Sequence, residues 1–429
     1  MRVLVLSMNY APEMTAVAPF TTGLCEYLAG RGHEVKVITT FPHYPEWRVW
    51  ERYRDQVRDR AVINSVSILR IWHFVPRRPG SLLRRLLYDL SFTAGSFFAG
   101  LFAGKCDVIY CACPPPTLAL SACLLAKLKG IPHVVKLTDL ASDAALATGI
   151  MNDRGFVLGL ARGLEHFVYR KAAAVVCLCQ GFIDKLTERG IPPSKLHLIS
   201  DWADTENVRP FEGVNAFRQR NDIQDGKFLV LHTGNMGKKQ GLMTAVQAAQ
   251  LSRNQPEVLW LLVGEGEERG LIEDEIRRLD LHNIRLLPLQ PAEGLSEMYS
   301  AADVLLLSQK AAVKDAVIPS KLLTYMSAGR PIIAAANQQS EAARLVDHAD
   351  CGLVVPPEDP GALVVAVSLL RQDSSLLIGR GSNGRTYALE HFTKRRILEK
   401  YDGFFKVLIA DKERWASSLR KGNAGALEF

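Results

Sequence analysis

Residues 314–336 read KDAVIPSKLLTYMSAGRPIIAAA: a loop, a Ser-Lys pair, a short helical stretch and a Gly-Arg-Pro turn leading into an apolar run. Ser320 is placed to cap a helix whose unpaired backbone N–H groups and dipole favour an anion, and Lys321 adds a positive charge beside it. Gly329 permits a left-handed exit ahead of Pro331. These are the parts of a diphosphate site, and taken alone they also describe an ordinary strand-to-helix crossover. Residues 233–241, TGNMGKKQG, point the same way. Between an apolar and an amphipathic run, Gly234, Asn235, Gly237 and Gly241 can turn backbone N–H groups toward a phosphate, with Lys238, Lys239 and Gln240 beside them. The alternative is a plain βα turn. The spacing is neither GxxxxGK[ST] nor GxGxxG, so neither standard nucleotide fingerprint applies. Gly264 and Gly266, closing the next apolar run, offer a second close approach of backbone to ligand.

Carboxylates come next. Asp139 and Asp143, in KLTDLASDA, stand where an apolar run gives way to a loop, a place from which a carboxylate can accept or orient a hydroxyl proton. Both can equally cap the helix that follows. His43, in FPHYP with Tyr44 and Trp47 nearby, can stack on or hydrogen-bond a sugar, whereas His33 in RGHEV reads as structural. The eight cysteines contain no CxxC and have no histidine at ligand spacing, so they read as buried reduced thiols rather than a zinc site. That chemistry fits a cytoplasmic protein. The apolar run at the N-terminus is too short for a signal peptide and reads as a first strand.

Placing these residues requires an α/β frame. Strand signals at 3–6, 35–39, 108–111, 133–137 and 175–178 alternate with helical patterns such as 21–31 and 117–128. The rhythm begins again at 228–232 and continues at 259–263, 284–287, 304–307, 332–335 and 352–355. The chain of 429 residues therefore reads as two doubly wound parallel-sheet, Rossmann-like domains, 1–200 and 201–385, with a helix and polar tail over 386–429. The polar stretch 200–211 suits a hinge over a central cleft. In open α/β sheets ligands bind beyond the carboxyl ends of the strands, so two such sheets facing one another would share that cleft.

Residues 81–104, SLLRRLLYDLSFTAGSFFAGLFAG, are apolar and aromatic behind paired arginines. The uninterrupted part is shorter than the roughly 20 residues of a membrane span, so the pattern favours a helix lying in a membrane surface, with a core helix as the alternative. Charge agrees with the first reading. The net charge is +7, and residues 1–200 hold 24 Lys and Arg against 15 Asp and Glu. No module of interleaved basic and aromatic residues marks a nucleic-acid binder, so an anionic membrane surface or phosphate-bearing acceptor fits better.

Taken in order, NYAPE, GHEVKVITTFPHYP, KLTDLASDA, LEHFVYRKAAAVVCLCQGF, HTGNMGKKQG, SAADVLLLSQK and IPSKLLTYMSAGRPII resemble the retaining, GT-B-fold glycosyltransferases of family 4, in the branch that builds exopolysaccharide, colanic acid and O-antigen. The resemblance covers nearly the whole chain. It implies an acceptor-binding first domain, a nucleotide-sugar-binding second domain, and a donor site of Gly234, Asn235, Gly237, Lys238, Lys239, Gln240, Gly241, Gly264, Gly266, Asp315, Ser320, Lys321 and Thr324. Asp315 stands near the first acid of the family's paired-glutamate motif, and Thr324 replaces the second. Asn235 and Gln240 replace the wider family's Arg and Lys. Asp139 and Asp143 take the catalytic positions, and Glu13, Thr15 and His43 are assigned to the acceptor; in the loop after the first strand, where the family commonly has paired small residues that approach the donor, Thr15 and Ala16 lack glycine. The implied activity is retaining, metal-independent transfer of a hexose-type sugar from a nucleotide-diphosphate donor, with no cofactor, to a polyprenyl-pyrophosphate-linked saccharide at the inner face of the bacterial cell membrane. The alternatives are a catalytically inactive scaffold, a sugar-nucleotide epimerase and, without a glycine fingerprint after the first strand, a disfavoured NAD-dependent oxidoreductase.

Overall fold

The computed structural model describes residues 1–14, 17–77, 82–140, 142–143, 155–211, 213–313 and 318–411. It divides into two units, Met1–Ser200 with Leu398–Phe429, and Asp201–Ile397. Thr15, Ala16 and Asp315 lie outside the described residues, as does the tail beyond Asp411.

In the first unit the strands are β1 (Arg2–Leu6), β2 (Glu34–Thr40), β3 (Arg58–Ile63), β4 (Val66–Ile71), β5 (Val108–Cys113), β6 (His133–Leu137), β7 (Ala174–Cys177) and β8 (Leu196–Leu198). They form one sheet in the order β3-β4-β2-β1-β5-β6-β7-β8, parallel except for the β3–β4 pair. Helices α1 (Ala18–Gly30), α2 (Leu82–Leu101), α3 (Pro116–Lys129), α4 (Phe156–Lys171) and α5 (Gln180–Glu188) connect them. The central strands are buried along their whole length, which is why they read as continuous apolar runs. The edge hairpin β3–β4 alternates instead, and Asn64 and Ser65 make its turn at φ +49° and +64°.

The second unit contains β9 (Phe228–Thr233), β10 (Val258–Val263), β11 (Ile284–Leu287), β12 (Val304–Ser308), β13 (Ile332–Ala335) and β14 (Gly352–Val355), all parallel, in the order β11-β10-β9-β12-β13-β14. Alternate residues feed two cores. Leu229, Leu231, Leu261 and Leu305 belong to one, Val230, Trp260, Leu262 and Leu306 to the other. Helix α6 (Met243–Leu251) follows β9 and helix α7 (Ser320–Ser327) lies between β12 and β13.

The polar stretch expected to act as a hinge belongs largely to the second unit. Arg385 donates to the Thr205, Val208 and Ser327 carbonyls, and the Phe211 N–H donates to Ser300 Oγ. The last helix among the described residues, α8 (Lys394–Ala410), enters the first unit at Leu398. There Asp402 accepts from His33 Nε2 at 3.0 Å, which makes His33 structural, and Tyr401 and Phe405 stand edge-on to Tyr110.

Candidate active site

The strand order of the second sheet reverses between β9 and β12, and in such sheets the crevice beyond the carboxyl ends of that pair receives the ligand. Both anion-suited stretches leave the sheet there. The glycine turn follows β9 directly, and α7 is reached from β12. Gly234 has φ +108°, and a Cβ built on it would stand 3.6 Å from Lys321 Nζ, so the lysine amine lies against the turn.

Lys321 is the most unusual group in this crevice. Burial pulls its pKa down to about 8. Among the described residues no carboxylate pairs with it, and its polar neighbour is His232 Nε2 at 3.5 Å. His232, the penultimate residue of β9, is fully buried, and burial holds its pKa well below the usual histidine value, Lys321 adding to the effect. Its Nδ1 stands 3.0 Å from the Leu306 carbonyl. A carbonyl can only accept, so Nδ1 carries the proton and Nε2 presents a lone pair to the ammonium. The floor is held by hydroxyls: Tyr325 Oη accepts from Thr233 N at 2.9 Å, and Tyr299 Oη lies 3.2 Å from Thr233 Oγ1. A half-buried ammonium set against neutral groups can receive an anion.

Several donor assignments take a different form from the sequence expectation. Ser320 does not cap α7: Pro319 occupies the cap position without a side-chain hydrogen bond, and Ser320 is the exposed first residue of the helix. What Ser320 can offer an anion at this helix start is its backbone N–H, which proline at the cap lacks. Gly329 does make the left-handed exit, at φ +68°. Gly264 and Gly266 are required by the packing of the protein itself, since a Cβ on either would collide with the carbonyls of Gly234 and Met236. They let two strand-end loops pack together. Lys238 pairs with Glu267 at 2.8 Å on the surface, and Lys239 is also exposed, its carbonyl accepting from Lys310 N. Asn235 is exposed near Gly237, while Gly241 takes φ +57° against Lys310. Gln240 Oε1 is buried and accepts no hydrogen bond among the described residues. Thr324 donates back to the Ser320 carbonyl at 3.4 Å, one turn along α7.

In the first unit, Glu13 and His43 are interior groups and not a sugar-facing surface. Glu13 Oε1 accepts from the backbone N–H groups of His43 and Tyr44, both at 2.8 Å, and Oε2 accepts from Asn9. His43 is fully buried, with Nδ1 2.9 Å from the Phe41 carbonyl and Nε2 2.7 Å from Tyr88 Oη. The carboxylate thus folds the loop after β2, and the imidazole ties that loop to α2. Burial lowers the His43 pKa. Sequence reasoning missed His73, packed against His43 with ring centroids 4.7 Å apart.

Asp139 follows β6 by two residues and is half-buried at the carboxyl edge of the first sheet. Asp143 is engaged elsewhere: Arg189 reaches both of its oxygens at 2.7 Å and Lys185 lies 3.7 Å away. That pairing makes Asp143 a loop anchor. Glu165, which sequence reasoning also missed, completes it by accepting from Ser142 N at 2.8 Å and Ser142 Oγ at 2.6 Å. An acid on the inward face of amphipathic α4 was the available signal.

Comparisons with known proteins agree with the two-domain α/β fold. Residues 15–202 match the family model described as a glycosyl transferase 4-like domain, and 214–386 that of glycosyl transferases group 1. The chain is 30% identical over 408 residues to the putative colanic acid biosynthesis glycosyl transferase WcaI of Escherichia coli, covering 94% of this chain and 98% of that one. It is 25% identical over 317 residues to the probable glycosyltransferase WbjE of Pseudomonas aeruginosa, covering 72% and 77%. Among solved structures it resembles Anabaena HepE in complex with UDP, at a TM-score of 0.71 and 15% identity, covering 95% of this chain and 100% of that one.

Proposed function

This chain belongs to the family 4 glycosyltransferases of GT-B fold, and we propose that it moves a sugar from a nucleotide-diphosphate donor to a lipid-linked saccharide during bacterial surface-polysaccharide synthesis. The observation that carries this reading is the half-buried Lys321 at the glycine turn of the β9–β12 crevice, paired with no carboxylate among the described residues. As the anomeric C–O bond breaks, the electron pair leaves with the diphosphate, and Lys321 with the N–H groups of the turn and of α7 offsets the charge that develops. The acceptor oxygen forms the new bond to the anomeric carbon, and the family resemblance gives Asp139 the role of orienting that hydroxyl and receiving its proton. Retention at the anomeric carbon and a metal-independent mechanism come to this chain from its family resemblance. The E. coli relative's name supports the surface-polysaccharide setting.

The lipid-linked acceptor and a place on the inner membrane face rest on α2. Its buried stripe is Tyr88, Phe92, Ser96 and Gly100, and the opposite face sets Leu83, Leu87, Leu90, Phe98 and Leu101 in water. Leu124 and Leu128 of α3, and Leu160 and Phe167 of α4, are exposed as well. Helices α2, α3 and α4 carry seven Lys and Arg but two acids. Of those, Glu165 is buried, and burial raises the Asp89 pKa to about 7. Among the described residues no single helix is long and apolar enough to cross a membrane. Apolar faces fringed by basic residues suit the surface of an anionic bilayer.

Calorimetric titration of UDP, GDP and dTDP into the wild type and Lys321→Met tests the donor half. At least one nucleotide binds the wild type, and the variant binds it about tenfold or more weakly. Equal affinity in the two proteins sinks the assignment.

A further inference from the structure

The donor reading assigns a role to Lys321 and none to the residue that faces it. Resting on that reading, we infer that His232 is a positioning residue for donor binding: a neutral acceptor that holds the Lys321 ammonium at the Gly234 turn without cancelling its charge. Three observations converge on it. The Nδ1–H is committed to the Leu306 carbonyl, which fixes the tautomer and turns the Nε2 lone pair outward. Nε2 stands 3.5 Å from Lys321 Nζ, and the same amine lies against Gly234. The other polar groups nearby are also neutral: the Tyr325 and Tyr299 hydroxyls, both bonded to Thr233. No ion pair to Lys321 is present among the described residues, and Asp315 lies outside them.

The choice of histidine has a physical logic. A carboxylate at this position would pair with the ammonium and spend the charge that a diphosphate needs. An aliphatic residue, common at the end of a buried strand, would leave the amine without an acceptor and favour its neutral form. A neutral imidazole avoids both. It supports the protonated amine, directs it, and leaves a full positive charge for the incoming anion.

Amide variants separate this role from packing. Asparagine can replace the Nδ1–H donor to Leu306 but does not reach the Nε2 position; glutamine places its carbonyl oxygen there. The measurement is the Kd of the wild-type-binding nucleoside diphosphate, as UDP, GDP or dTDP, from pH 6 to 10, alongside Tm over the same range without nucleotide. In the wild type Kd is level up to pH about 8, where Lys321 loses its proton, and rises above it by up to tenfold per pH unit. His232→Asn bends at lower pH and binds about tenfold more weakly at pH 7.5. His232→Gln restores both, whereas His232→Glu weakens binding and removes the bend. In the nucleotide-free scans, relief of the half-buried charge increases stability as pH rises above about 8, and this rise begins earlier in His232→Asn. If nucleotide binding depends on Lys321 but His232→Asn matches the wild type in both Kd and bend, the inference is overturned and the donor reading stands. If no nucleoside diphosphate binds the wild type, the donor reading falls and takes the inference with it, whatever the Tm profiles show.

Discussion

Lys321 illustrates what a residue type reveals before its surroundings are known. The Pro-Ser-Lys run marks it as a candidate phosphate ligand, and the structure adds that it is half-buried with no acid paired to it among the described residues. A folded-state pKa near 8, against an ordinary lysine value of 10.5, means that the cation is held at a cost when no ligand is present. Lys321→Met therefore stabilises the nucleotide-free protein at pH 7 by about 2 kcal/mol while weakening nucleotide binding about tenfold or more, since a half-buried lysine replaced by an apolar residue of similar length loses the desolvation penalty. Thermal unfolding at pH 7 and pH 10 checks the sign. The gain shrinks at pH 10, where much of the folded-state lysine is already neutral, and a variant less stable than wild type at pH 7 contradicts the account. His232 was not legible in the same way, because a histidine closing an apolar strand reads as core until Leu306 and Lys321 are brought beside it. Glu13 and His43 show the reverse error. The residue type and neighbours of His43 suggest a sugar contact and the family resemblance puts Glu13 at the acceptor, but long-range backbone contacts bury both.

Individual elements were largely readable, with instructive exceptions. The all-buried strands announce themselves as Val-, Ile- and Leu-rich runs, and β9, β10 and β12 fall where those runs do. The β3–β4 hairpin was missed although Asn64-Ser65 between two alternating segments is a usable signal; the charge density of β3 disguised an edge strand. The apolar character of α2 was visible in the sequence, but which stripe faces inward depends on α3, whose Leu125 fills the space beside Gly100. The two stripes of α2 make opposite predictions. Phe92→Ala in the buried stripe lowers stability by about 3 kcal/mol. Leu87→Gln combined with Phe98→Gln changes stability by about 0.5 kcal/mol or less, yet reduces sedimentation with phosphatidylglycerol-containing vesicles about tenfold. Undiminished sedimentation of that exposed-stripe variant removes α2 from the membrane interface.

At the scale of the whole molecule, repetition of the βα rhythm gives two sheets, and the second has the order in which a ligand crevice opens between β9 and β12. The path of the C-terminal helix was not legible. Its partners, His33 and Tyr110, are hundreds of residues away in sequence, and no local pattern says that Asp402, Tyr401 and Phe405 meet them. The central claim, that this chain transfers sugar from a nucleotide diphosphate to a lipid-linked saccharide, is tested most directly by incubating the purified protein with UDP-, GDP- and dTDP-sugars and a membrane extract containing lipid-linked saccharides, then following free nucleotide and lipid product by mass spectrometry. The account predicts nucleotide release that requires the extract and a lipid-linked product heavier by one sugar. Nucleotide-sugar binding without release, or epimerised nucleotide-sugars with no new lipid product, contradicts it.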